Sequence, residues 1–306
     1  MSAEVFAPAK HVRIGAHPAL RALARDSRAR IALVVLLLIA LGAVLAPLIA
    51  PYGPEAQLDI ARLHNQPPSP AHPFGTDKVS RDVLSRLIFG TRVSLAVGLG
   101  SAALAMSIGI AVGIVAGYLG GAVDAVLMRL VDAALSVPRL LVLLLVASLW
   151  DRVGIVPLTL LMAGTGWFTV SRLVRAETLA LRDREFVLAA RALGTPTLRL
   201  LVRHVLPNVL APALVAAALG IANVILLEAA LSYLGIGLEE PAASWGTIIQ
   251  DGADSVTDHW WLTVFPGLAI LVTVFACNAL ADALRDAFDP RQLPRGTTDA
   301  LFASEA

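Results

Sequence analysis

Five stretches of the chain contain no Asp, Glu, Lys or Arg at all, and this constrains the fold more than any motif. They are Ile31 to Pro54, Val93 to Val123, Val153 to Ser171, Val205 to Leu227 and Trp260 to Ala281. A helix needs roughly 20 apolar residues to cross the hydrocarbon of a bilayer. Each run therefore reads as a spanning helix. A sixth lies between Ala125 and Trp150, where Asp132 and Arg139 interrupt an apolar stretch. Its core, Leu140 to Trp150, is too short alone and spans only when extended back to about Leu127. The sequence predicts an all-α, polytopic membrane protein with about six transmembrane helices.

Composition excludes the other classes. Of 306 residues, 57% are hydrophobic and 15% are charged. A soluble domain is nearer 45–50% apolar and about 25% charged. That surplus of apolar surface cannot all be hidden in a water-soluble globule. One cysteine, Cys277, rules out an internal disulfide. A net charge of +1 provides no global basic field to attract nucleic acid.

The few charges set the expected topology, because Lys and Arg in flanking loops mark the cytoplasmic side. Residues 1–30 carry Lys10, Arg13, Arg21, Arg25, Arg28 and Arg30. The stretch after the fourth span carries Arg172, Arg175, Arg182, Arg184, Arg191, Arg199 and Arg203. Between the fifth and sixth spans lie Glu239, Glu240, Asp251, Asp254 and Asp258, with no Lys or Arg. Both termini and residues 172–206 are thus expected in the cytoplasm, and 235–259 outside. The expected organisation is a cytoplasmic tail over 1–30 and a first span over 31–51. An external loop with an amphipathic segment follows over 52–92. A core of five spans covers 93–284, with a cytoplasmic loop at 174–207, and a cytoplasmic tail closes the chain over 285–306. The external loop has five basic and four acidic residues, so the even number of crossings decides its side. The long basic leader before Ile31 argues against a cleaved signal peptide.

Little points to catalysis. The histidines, His11, His17, His64, His72, His204 and His259, are scattered and make no metal-ligand motif. There is no phosphate loop of the P-loop type and no nucleophile elbow. The chain is therefore read as no enzyme, without a cofactor or metal of its own.

The informative segment is 185–208. Residues 185–193 read as one helix, closed by Gly194 at the left-handed C′ position. Thr195 suits the N-cap and Pro196 the first position of a second helix, which Pro207 is expected to stop. The pair would lie on the membrane surface. Ala189, Ala190 and Ala192 leave a nearly side-chain-free face that another surface can approach closely, flanked by Arg191, Arg199 and Arg203. The plain alternative is an amphipathic loop whose arginines meet anionic lipid.

Here the chain resembles a known family. Ala189-Ala190, three residues, Gly194, nine residues, His204, one residue, Leu206-Pro207 follows the spacing of the "EAA" loop of permease subunits in binding-protein-dependent ABC importers. Further matches resemble the C-type subunits of the dipeptide/oligopeptide/nickel group. They are His72-Pro-Phe-Gly-Thr-Asp77, Arg81-Asp-Val-Leu-Ser-Arg86, Gly90-Thr-Arg-Val-Ser-Leu95, Arg203-His-Val-Leu-Pro-Asn208 and Glu228-Ala-Ala-Leu-Ser-Tyr-Leu-Gly-Ile-Gly237. Ser244-Trp-Gly246, Trp260-Trp261, Phe265-Pro-Gly-Leu-Ala-Ile270 and Leu284-Arg-Asp-Ala-Phe-Asp-Pro290 continue the series. The resemblance spans roughly 31–290. It implies a multi-pass subunit of a bacterial cytoplasmic membrane, with a second, B-type permease subunit, two cytoplasmic ATP-binding subunits that hold the ATP, and an external substrate-binding protein. Lipid surrounds it and no nucleic acid binds. The implied ATPase-coupling loop contains Glu185, Ala189, Ala190, Gly194, Thr195, Pro196, His204, Leu206 and Pro207. Leu188 stands where the motif has glutamate. The implied cargo is a di- or oligopeptide; nickel or another small solute is the alternative, and an ion-coupled secondary transporter a more distant one.

Four polar residues inside or beside spans are candidates for a translocation path or for internal polar contacts: Glu228, Asp132, Arg139 and Asn223. Asp132 and Arg139 are spaced to share one helix face. Gly109, Gly113 and Gly117 recur every four residues, which favours close helix packing within the subunit. Trp245, Trp260 and Trp261 read as interfacial anchors.

Overall fold

The computed structural model describes residues 23–24, 26–150, 153–238 and 242–288. Most of the basic leader, Glu239, Glu240 and the tail beyond Phe288 therefore lie outside the described residues. Among the described residues the fold is all helical, with one isolated bridge between Thr76 and Asp82. The helices are α1 (Ser27–Val44), α2 (Ala46–Ile49), α3 (Ile60–Leu63), α4 (Val83–Leu119), α5 (Gly121–Leu135) and α6 (Arg139–Ala147). They continue as α7 (Ile155–Arg182), α8 (Glu185–Ala192), α9 (Thr197–Leu200), α10 (Leu206–Tyr233), α11 (Trp245–Asp251) and α12 (Trp261–Phe288).

Four helical stretches are long and apolar enough to cross a membrane: α1, α4, residues 197–233 and α12. The pair α5–α6 adds a fifth if its two arms are one span. α7 has the length, 28 residues, but Arg172, Arg175, Glu177 and Arg182 end its apolar part at Ser171. Its course shows how it runs. Gly100 of α4 lies against Thr159, Gly109 against Val170, Gly113 against Val174 and Gly117 against Thr178. Residue numbers rise together, so α4 and α7 are parallel neighbours. The intervening α5–α6 must return the chain across the bundle.

The glycine stripe makes that pairing possible. A Cβ on Gly109, Gly113 or Gly117 would stand 2.6–2.8 Å from Val170, Ser171 or Arg175 atoms of α7. The three glycines thus serve packing inside the subunit. α10 runs antiparallel to α4, with Ile225 at Gly98 and Gly220 at Ala102.

Several expected boundaries move. α4 begins at Val83, ten residues before the apolar run, with Asp82 as its cap: the carboxylate accepts from Ser85 N at 2.8 Å. Arg86 does not end the helix because two carboxylates neutralise it, as described below. Residues 83–92 are therefore helix rather than external loop. The span expected from Leu127 to Trp150 is broken instead, its arms bent by 79°. Pro138 has no N–H to donate and restricts Val137. Asp132 and Arg139 consequently do not share a helix face. Pro207 does not stop a helix: it sits in the first turn of α10, where its missing N–H costs little. A π-helical turn, Leu201–Val205, joins α9 to α10, and Thr195 does not cap α9, whose N-cap is Pro196.

Candidate functional site

One end of the bundle carries the 185–207 element. α8 turns inward with Val187 and Ala190, which join a core with Leu200, Val205, Val209, Ala213, Ile114, Tyr118, Val170 and Val174. Those residues come from α4, α7, α9, the π turn and α10, so α8 is fixed to the ends of three long helices. The closing turn is a Schellman motif. Gly194 has φ +73°, its N–H donates to Arg191 O at 3.0 Å, and Thr195 N donates to Ala190 O at 3.1 Å. Arg191 locks the element to α4: Nη2 donates to Tyr118 Oη at 3.1 Å and the guanidinium stands 5.4 Å from the ring centre.

The outward face sets large apolar side chains among charged ones. Glu185, Ala189, Ala192 and Pro196 are exposed. Leu188 is 45% exposed, Leu193 86% and Leu198 75%. His204 lies half-buried in the π turn, 6.4 Å from the Phe186 ring, while Leu206 is partly buried and Pro207 exposed. Of the expected loop residues, Ala190 alone is turned fully into the core.

The four internal polar candidates are not brought together. Glu228 is 0% exposed and accepts from Ser232 Oγ at 2.9 Å and Ser94 Oγ at 3.3 Å. It is enclosed between α10 and α4. Arg139 reaches α7, donating from Nε to Thr165 Oγ1 at 3.0 Å and from Nη2 to Met162 O at 2.8 Å. Asp132 is exposed and 3.7 Å from Arg172 Nη1. Asn223 is exposed on α10.

At the opposite end a charged lock was not foreseen from the sequence. Asp77 Oδ2 takes Arg81 Nε and Arg86 Nη1, each at 2.6 Å. Asp251 of α11 takes Arg86 Nη1 at 2.5 Å, Arg81 Nη2 at 3.1 Å and Lys78 Nζ at 3.1 Å. Burial pushes the Asp251 carboxyl up, but Arg86, Lys78 and Arg81 outweigh it and hold it below its ordinary value. His72 Nδ1 lies 3.0 Å from Asp82 Oδ1. Trp261 Nε1 donates to Thr76 O at 3.1 Å, and Phe74 stacks on Phe265 at 4.0 Å. Gly75, at φ +76°, leaves room for the Trp261 ring. Trp245 is also buried, against the first turns of α4, with Nε1 donating to Leu87 O at 3.4 Å. Only Trp260 of the three tryptophans is exposed; the other two are core, because their N–H groups find backbone acceptors. The spacing that announces the lock is Asp77-Arg81, opposite charges four residues apart in a charge-poor chain.

The chain is thus a helical membrane protein with a rigid helix pair at one end and a charged lock at the other. The chain belongs to the family described as binding-protein-dependent transport system inner membrane components, whose model matches residues 109–293. A second model, the N-terminal TM domain of oligopeptide transport permease C, matches residues 17–68. The oligopeptide transport system permease protein OppC of Bacillus subtilis (strain 168) is 38% identical over 86% of this chain and 85% of its own length. The dipeptide transport system permease protein DppC of the same organism is 36% identical, covering 89% and 84%. A putative peptide transport system permease protein of Brucella abortus biovar 1 (strain 9-941) is 42% identical, covering 89% and 90%.

Proposed function

We propose that the chain is one of two permease subunits of an ABC importer for di- or oligopeptides, with ATP hydrolysed by separate subunits. The observation that carries the reading is α8. It is capped, packed into the ends of α4, α7 and α10, and with its closing turn and α9 shows Leu188, Leu193 and Leu198 outward. An element of that kind transmits a rigid-body push from an ATPase docked on it to the spans that line a pathway. In this reading the α8 end is cytoplasmic and the Asp77–Asp251 lock faces outside. The external binding protein then meets the lock end. The peptide class is supported by the names of the relatives above. ATP-driven uptake of a labelled peptide into proteoliposomes, with the partner subunits and binding protein present, tests the reading. Uptake that follows an ion gradient without nucleotide would sink it.

A further inference from the structure

The break between α5 and α6 holds a charge that the packing alone does not require. The Arg139 guanidinium lies beside Gly166 of α7, which packs on Ala105 of α4. Ala105 stands about 18 Å along the helix axis from Val93 and about 21 Å from Leu119. From the other side, the 15 residues of α5 climb about 22 Å from the Gly121 end. Both measures put the guanidinium near the middle of the membrane thickness. There a charged side chain is costly unless it is paired or wet.

Among the described residues Arg139 has no acidic partner. Its Nε and Nη2 are used by Thr165 and Met162 O. Among the described residues no carboxylate makes an ion pair with it. Two hydrogen bonds hold the planar group in place while Nη1 is left for another acceptor. The adjoining backbone is equally out of place in lipid. Ser136, Val137 and Pro138 interrupt the helix and are exposed on this subunit. Irregular backbone at this depth is tolerated only against protein or beside a water-filled cavity. α6 begins at Arg139 with no side-chain cap, so its first N–H groups add potential of the same positive sign.

We infer that the α5–α6 break lines the translocation pathway and that Arg139 receives the C-terminal carboxylate of a peptide in transit. The inference rests on the peptide reading above. A fixed guanidinium with one open edge suits a carboxylate, and low dielectric strengthens the contact. Among the described residues no acid competes for the guanidinium, so its open edge can meet each passing anion. Thr165 acts as a positioning residue by holding Nε.

The test uses the complete importer in proteoliposomes with one binding protein throughout. Uptake of a free-acid peptide is compared with its C-terminal amide in wild type, Arg139→Gln and Arg139→Lys. Loss of one charge-assisted contact is expected to slow free-acid uptake at least about tenfold in the glutamine variant. The amide rate should stay unchanged, and lysine should restore most of the free-acid rate. Lysine cannot rebuild the two-bond tether to α7, so its rescue separates charge from architecture. Equal loss for acid and amide, an unchanged acid-to-amide ratio in Arg139→Gln, or no rescue by lysine overturns the inference. If wild type excludes the amide, the lysine-against-glutamine comparison decides. Wild type that moves neither peptide counts against the peptide reading itself.

Discussion

Asp251 joins α11 to residues 65–86 through two arginines and a lysine, all largely withdrawn from water apart from Lys78. Its depressed pKa gives a signed prediction. A carboxylate of this kind stabilises the fold fully above its unfolded value of about 4. The stabilisation is lost as the pH falls through the lower folded value. The detergent-solubilised complex should therefore hold its melting temperature from pH 7 to about 5 and lose it below about 4. Asp251→Asn should flatten that acid limb. It should also lower stability at pH 7 by about 3–5 kcal/mol, because Arg86 keeps its burial and loses a partner. An acid limb identical in Asp251→Asn and wild type would remove Asp251 from the lock. A second residue, Leu188, lies on the face where the proposed function docks an ATPase. An interface shaped around leucine has no counter-charge for the glutamate that the family motif carries there. Leu188→Glu should leave the melting temperature unchanged, since the side chain is half exposed, and weaken ATPase binding about tenfold in a pull-down. Unaltered affinity would show that this position does not contact the ATPase.

Helices were legible where a single residue type dictates backbone geometry. Gly194 marked the end of α8 because a left-handed residue costs about 1–2 kcal/mol unless it is glycine. Gly194→Ala should accordingly unseat the turn and reduce peptide uptake more than it lowers the melting temperature, since nothing crowds a Cβ there. The glycine stripe was legible too, and its partner helix was not. Periodicity shows a small face but not which of six helices fills it. Gly113→Val puts Cβ 2.7 Å from Ser171 O and Val174 Cβ. It should destabilise by at least about 1–3 kcal/mol, measured by thermal melting, as overpacking does. What the sequence hid is equally physical. α4 starts early because Arg86 is neutralised by Asp77 and by Asp251, 165 residues away, and no local window contains all three. The α5–α6 bend hid inside an apolar stretch, where Pro138 was compatible with either a kink or a straight span. Pro207 misled for the opposite reason. Proline ends a helix from within and begins one from the first turn, and only the π turn before it shows which applies.

The arrangement of the whole molecule depends on which end faces the cytoplasm. The parallel course of α4 and α7 requires the bent pair to cross between them, and α10 runs back against α4. Starting from a cytoplasmic leader, the order α1, α4, α5–α6, α7, α10, α12 makes six crossings and puts α8 on the side where it began. The loop containing α11 falls on the other. The chain's one cysteine makes this easy to measure. Cys277 is 3% exposed, and Cys277→Ala removes it as background. In that variant, Leu193→Cys and Ser255→Cys place single thiols at the two ends, the first at an exposed and the second at a part-exposed position. A membrane-impermeant maleimide added to intact spheroplasts should label Ser255→Cys and spare Leu193→Cys. In inverted vesicles the pattern should reverse. The swapped pattern, with Leu193→Cys labelled in spheroplasts and Ser255→Cys spared, would mean that α7, or the bent pair, does not cross. The six-span reading would then fall with it, and so would the mid-membrane depth of Arg139, because both depend on the chain traversing the bilayer between Leu119 and Ile155.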